Sequence, residues 1–162
     1  MRRLRALCCS LLVAVAIATT MATPLTAQAA KPARYLTDFA TTTVILETSA
    51  FSCLAIHVYL ADSGSQQSQG LMRIEQLDDY EGMLFRYRQP AMITMWMKNT
   101  YIPLDMAFIR QDGRVASIAA HTTPMSTTRI ASPEPVTMVL ELNAGFAADH
   151  AFEIGDRLLA ID

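Results

Sequence analysis

Trp96, Lys98, Asp105 and Glu141 are the residues of this chain whose types and spacing could do chemistry together. Trp96 is the only tryptophan, and it stands in Met95 to Asp105, MWMKNTYIPLD. If Ala91 to Asn99, AMITMWMKN, is a strand, Trp96 and Lys98 point to the same side, because side chains alternate along a strand. On Val136 to Leu142, VTMVLEL, alternation puts Val136, Met138, Leu140 and Leu142 on one face and Thr137 and Glu141 on the other. On Leu104 to Ile109 it separates Leu104, Met106 and Phe108 from Asp105, Ala107 and Ile109. A surface of Trp96, Lys98, Asp105 and Glu141 is therefore compatible with an apolar core. An aromatic plate beside fixed polar groups is how small polar ligands such as sugars are gripped. The plainer reading is architectural: Lys98 pairs with one of the two acids and Trp96 packs.

Three other chemistries can be weighed on the same residues. A carboxyl pair, Asp105 with Glu141, would serve a hydrolase of envelope material. Glycosidases hold such pairs at ~5–5.5 Å when retaining and ~6.5–9.5 Å when inverting. Met95 and Met97 flank Trp96, and thioethers are soft ligands suited to Cu(I). Methionine also fills core gaps, and no histidine lies nearby in sequence, so core packing is the simpler expectation for both. Cys53 and His57 fall four residues apart on one predicted strand. At ~3.3 Å per residue they stand about 13 Å apart and cannot form a dyad. No H-E-x-x-H, G-x-S-x-G, phosphate-loop glycines or paired-cysteine metal motif occurs. The sequence names no cofactor and no metal ligand set.

The elements that would position these residues are short. Thr41 to Glu47, TTTVILE, is rich in β-branched residues, which favour strands. Ser49 to Leu60 follows as a second strand, antiparallel to the first. Asp62 or Ser63 can cap a short helix that Gly70 stops. Met83 to Tyr87 reads as a strand that Gln89-Pro90 breaks. Leu104 to Arg110 and Arg114 to Ala120 flank Gln111-Asp112-Gly113, a hairpin signal. His121 to Pro135, with its prolines and hydroxyls, reads as a long loop. Asn143 to His150 suits a second short helix, and Arg157 to Ile161 a last strand. Together they predict a mainly β fold, a single compact sandwich- or barrel-like domain with one or two short helices.

Not all 162 residues belong to that domain. Met1 to Arg5 carries three arginines, Ala6 to Ala18 is apolar except for Ser10, and Ala27-Gln28-Ala29 suits signal peptidase. This is the plan of a secretory signal peptide. The apolar run is shorter than the ~20 residues that span a bilayer. The expected organisation is a signal peptide at 1–29, an irregular arm at 30–40 and one β domain at 41–162, located in the periplasm or secreted. Cys8 and Cys9 precede the apolar core, which is the wrong order for lipid attachment. Removing Arg2, Arg3 and Arg5 leaves ten basic against fifteen acidic side chains, a net charge of −5. No basic run remains, which disfavours nucleic acid as a partner. No later segment suits stable membrane insertion. Cys53, the one cysteine left, has no partner for an internal disulfide and is expected to be a buried thiol.

Several stretches together carry a wider pattern. They are Gly70-Leu71-Met72-Arg73, Gly82-Met83-Leu84-Phe85, Trp96-Met97-Lys98-Asn99-Thr100, Ile102-Pro103-Leu104-Asp105, Val139-Leu140-Glu141-Leu142 with Gly145, and Gly155-Asp156. Their order and spacing resemble the exported bacterial and archaeal family called domain of unknown function 192, over about Thr43 to Ile161. The resemblance implies a compact, mainly β, sandwich-like domain and no established activity. Arg73, Trp96, Lys98, Asn99, Asp105 and Glu141 fall on its motif positions. An aromatic usually stands where this chain has Met95, so the paired methionines are not a family feature. The expected function is a non-catalytic binding module for a small polar or saccharide-like ligand, with those six residues as its candidate site.

Overall fold

The computed structural model describes residues 35–50 and 52–160, which fall within one compact unit, residues 33–162. The predicted leader and the first part of the arm lie outside the described residues. Tyr35 to Phe39 form turns, and Leu36 and Phe39 are buried in the core. The end of the arm is thus irregular but packed.

Strands β1 (Thr41–Glu47) and β2 (Cys53–Ala61) pair antiparallel, from Thr41 opposite Tyr59 to Glu47 opposite Cys53. Helix α1 (Gly64–Gln69) follows, opened by a reciprocal capping box. The Ser63 hydroxyl accepts from the Gln66 backbone N–H, and the Gln66 side chain accepts from the Ser63 N–H at 3.0 Å. Such a box satisfies donors that a helix start leaves open. Gly70 ends the helix at φ 50°. The segment carrying α1 crosses over, so that β3 (Glu81–Ala91) lies parallel to β2. A parallel pair needs a long connection of this kind.

β3 does not stop at Gln89-Pro90 as predicted. It runs to Ala91 across a register irregularity, pairing Arg86 with Met138 and Ala91 with Val136. Proline is tolerated where a ladder bond is already missing. The predicted strand over Ala91 to Asn99 shrinks to β4 (Thr94–Met95). β5 (Leu104–Ile109) and β6 (Val115–Ala119) make the expected hairpin. Within the predicted long loop, β7 (Ile130–Ala131) pairs with β4. β8 (Val136–Asn143), the short helix α2 (Phe146–Asp149) and β9 (Arg157–Ala160) complete the chain.

Seven strands form one sheet in the order β6-β5-β8-β3-β2-β1-β9. The sheet curls into a half-barrel. Its two edges touch where Arg114 bridges Arg157 and the Leu158 N–H donates to the Gly113 carbonyl at 2.8 Å. A Cβ on Gly113 would stand 2.6 Å from the Leu158 carbonyl oxygen, and its φ is 82°. Glycine alone admits that approach and that conformation.

Both faces of the sheet are covered. One core gathers Met83, Phe85, Met97, Leu104, Met106, Phe108 and Val139. The other gathers Val44, Leu46, Ile56, Val58, Leu84, Ala107, Ile109, Leu140 and Leu142. Every residue of β5 is buried as a result. Cys53, expected to be buried, is partly exposed: it opens β2 on the face that also carries the exposed Ala55 and His57.

Candidate functional site

A pocket of about 340 Å³ opens between α1, β3, β8 and the segment after β4. Its walls include Gly70, Tyr87, Trp96, Lys98, Thr100 and Glu141. Trp96 and Lys98 follow directly on the β4–β7 pair, which anchors their segment at Thr94–Ala131 and Met95–Ile130. Beyond it the backbone turns. The Met97 N–H donates to the Ser126 carbonyl, Thr100 N–H to the Met97 carbonyl, and Met125 N–H to the Thr100 carbonyl. Asn99 takes a left-handed φ of 58°, which asparagine tolerates better than most residues.

That turn decides the fate of the two methionines. Met97 is fully buried, and its sulfur lies 3.1 Å from the Thr122 hydroxyl. Met95 is half-buried, faces the pocket, and its sulfur accepts weakly from the Tyr87 hydroxyl at 3.9 Å. Met97 is a core residue as expected, and Met95 packs against the same core while partly exposed at the pocket. Among the described residues no group of three or more His, Cys, Asp or Glu side chains converges.

The two candidate carboxylates part company. In the β5–β8 register Asp105 stands opposite Leu142 and Glu141 opposite Met106. Directly opposed residues share a face, so Asp105 belongs to the side of Ala107 and Leu142 and Glu141 to the side of Met83 and Met106. Asp105 is buried and engaged throughout: Oδ1 accepts from the His121 N–H at 2.8 Å, and Oδ2 from the Gly145 and Ala147 N–H groups at 3.1 and 3.0 Å. It holds the start of α2 against the end of the β6 hairpin. The predicted surface shared by Asp105 and Glu141 does not form.

Glu141 is only 4% exposed, yet it makes no hydrogen bond or ion pair among the described residues. Burial pushes its pKa up from the ordinary 4.5 to about 8. Tyr87 beside it is pushed up to about 12, first by burial and then by the Glu141 charge. Among the described residues the one fully buried side-chain polar atom without a partner is Thr48 Oγ1, so the Glu141 oxygens reach the pocket. At neutral pH, with the pocket free, this carboxyl is mostly protonated and presents one donor and one acceptor.

Lys98 bridges neither acid. It is exposed, and its Nζ stands 5.5 Å from the Trp96 ring centroid, within cation–π range. Trp96 is 48% exposed. The pocket therefore has an aromatic and cationic rim and a carboxyl at its buried end. Arg73 and Asn99 do not line it. The Arg73 N–H donates to the Asn99 carbonyl at 2.8 Å, and its guanidinium lies 5.6 Å from the Tyr35 ring centroid. Both residues have positive φ, and they brace the turn that carries Lys98. Of the six predicted residues the pocket gathers Trp96, Lys98 and Glu141. Tyr87 and Thr100 were missed. The signal for Tyr87 was its alternation with Phe85 and Met83, since Met83 opposes Glu141.

Fold and pocket together define a small, mainly β domain with a polar cleft beside a curled sheet. The chain belongs to the family DUF192, described as uncharacterized ACR, whose model matches residues 44–160. A solved structure of a candidate transcription regulator from Sinorhizobium meliloti 1021 is 43% identical, with a TM-score of 0.73, over 74% of this chain and 93% of that one. A protein of unknown function from Novosphingobium aromaticivorans DSM 12444 is 35% identical, with a TM-score of 0.75, over 86% of this chain and 99% of that one. No curated protein matches the chain.

Proposed function

We propose that this protein is an exported, non-catalytic binding module whose pocket takes a small polar ligand. The observation that supports this reading is Glu141, a buried carboxyl without a protein partner at the closed end of an open pocket. Its oxygens reach the pocket, so a ligand seated there can hydrogen-bond to them. Trp96, half-exposed at the rim, supplies the flat apolar surface against which a sugar or other small polar molecule stacks.

Competing readings draw less support. A carboxyl-pair hydrolase needs two acids on one side of the sheet, and Asp105 is turned away and fully bonded. A Cu(I) carrier needs both sulfurs at one point, and Met97 is sealed in the core. The regulator description belongs to the Sinorhizobium protein. The net charge of −5 after leader removal gives it no electrostatic footing here. Export rests on the basic start, apolar run and Ala27-Gln28-Ala29. Intact mass of the exported protein should place its first residue at Ala30.

Because Trp96 is the only tryptophan, fluorescence excited selectively at tryptophan and not at the five tyrosines reports on the pocket. Titration with neutral mono- and disaccharides and with amino acids should give a saturable change for at least one class. No saturable change with any of them up to about 10 mM, weaker than any affinity of note, would defeat the reading.

A further inference from the structure

The pocket holds a carboxyl and an ammonium that do not meet. Glu141 is at the buried end, and Lys98 is at the rim with its ammonium on the Trp96 face. Neither has an ion-pair partner among the described residues. The ionisable side chains around Glu141 are few. Tyr87 comes from β3 and Lys98 from the segment after β4, while α1, Gly64–Gln69, contributes none. Gln67, Ser68 and Gln69, the last residues of α1, line the pocket. The Met95 sulfur adds a soft acceptor.

A closed end with a carboxyl suits an ammonium group. A rim bearing a free lysine suits an anion. Resting on the binding reading above, we propose that the ligand is a small zwitterion, with its ammonium on Glu141 and its carboxylate or equivalent anion toward Lys98. The aliphatic body between them lies along Trp96, and a cavity of about 340 Å³ accommodates a molecule of amino-acid size. Since burial leaves Glu141 protonated at neutral pH in the free pocket, docking an ammonium there expels one proton.

The test uses the full mature chain with glycine, 4-aminobutanoate and 6-aminohexanoate, which step the distance between the charges. Their N-acetyl derivatives remove the cation, their methyl esters remove the anion, and glucose and N-acetylglucosamine serve as neutral probes. Binding is read by Trp96 fluorescence and by calorimetry. At least one amino acid of the series should bind, with both of its neutralised derivatives weaker by about tenfold or more. Its affinity should rise about tenfold from pH 6 to pH 7 and level off above pH 8, as expected for a group that must ionise with a pKa near 8. Glu141→Gln should abolish that rise. Lys98→Gln, an exposed change that leaves the fold alone, should weaken the amino acid but not its ester. A neutral sugar binding as well as every zwitterion, or an ester as tight as its parent acid, would overturn the zwitterion while leaving the pocket reading intact. Silence from all probes would overturn both.

Discussion

Glu141→Gln separates a carboxyl that the fold tolerates from one that the fold uses. The substitution keeps the side chain's shape and removes its ability to ionise. In the unfolded chain Glu141 titrates near 4.5, and in the folded protein near 8. Below pH 4.5 both states are protonated, so burial of the group costs little. Between 4.5 and 8 the unfolded chain ionises and the folded protein does not, so stability falls as pH rises. Above 8 the loss levels off. Linkage applied to these two values gives ~1 kcal/mol lost by pH 5 and ~4 kcal/mol by pH 8. Glutamine escapes this loss. Urea melts followed by far-UV circular dichroism at pH 5, 6, 7 and 8 should therefore show the variant gaining on the wild type by ~3–4 kcal/mol across that range. Two parallel stability curves, separated by a constant within ~0.5 kcal/mol, would refute the reasoning: Glu141 would then have an ordinary pKa and water or a partner at its carboxyl.

Four further substitutions probe the frame around the pocket. Asp105→Ala strips the His121, Gly145 and Ala147 N–H groups of their shared acceptor and should cost ~2–4 kcal/mol in denaturant melts; a loss below ~1 kcal/mol would mean that water replaces it without penalty. Trp96→Ala and Lys98→Met concern a half-exposed ring and an exposed cation in mutual contact, so melts should show losses well under the ~3–5 kcal/mol of a buried tryptophan for the first and ~0–1 kcal/mol for the second. A core-sized loss at Trp96 would turn the rim into architecture. Gly82→Ala places a methyl group inside the contact distance of the Glu141 carbonyl oxygen and 2.8 Å from Leu142 Cδ2, which should cost ~1–3 kcal/mol or more and disturb the β3–β8 register that seats Glu141. An unshifted melting temperature would show that this strand pair yields.

The elements legible in the sequence are those whose causes are local. Asp62 or Ser63 and Gly70 bounded α1 because a side-chain cap and a positive-φ stop use only neighbouring residues, and the structure gives the cap to Ser63 paired with Gln66. Gln111-Asp112-Gly113 marked the β5–β6 hairpin for the same reason, and the Trp96 to Thr100 motif located the rim of the pocket. The segment after Gln89 was misread because proline ends a strand only when the ladder bond it removes would have existed, and here a register irregularity had already removed it. Alternation along β5 and β8 was also plain, but alternation says only that two faces differ. It does not say which faces of adjacent strands coincide, or whether the second face is wet. Register decided the first: Asp105 meets Leu142 and Glu141 meets Met106, so the two acids part to opposite sides. The curl of the sheet and the segments packed on both faces decided the second, burying Glu141 where the pattern suggested solvent. Both depend on contacts between residues far apart in the chain, and a carboxyl's surroundings, not its neighbours in sequence, set whether it is bonded like Asp105 or left free like Glu141.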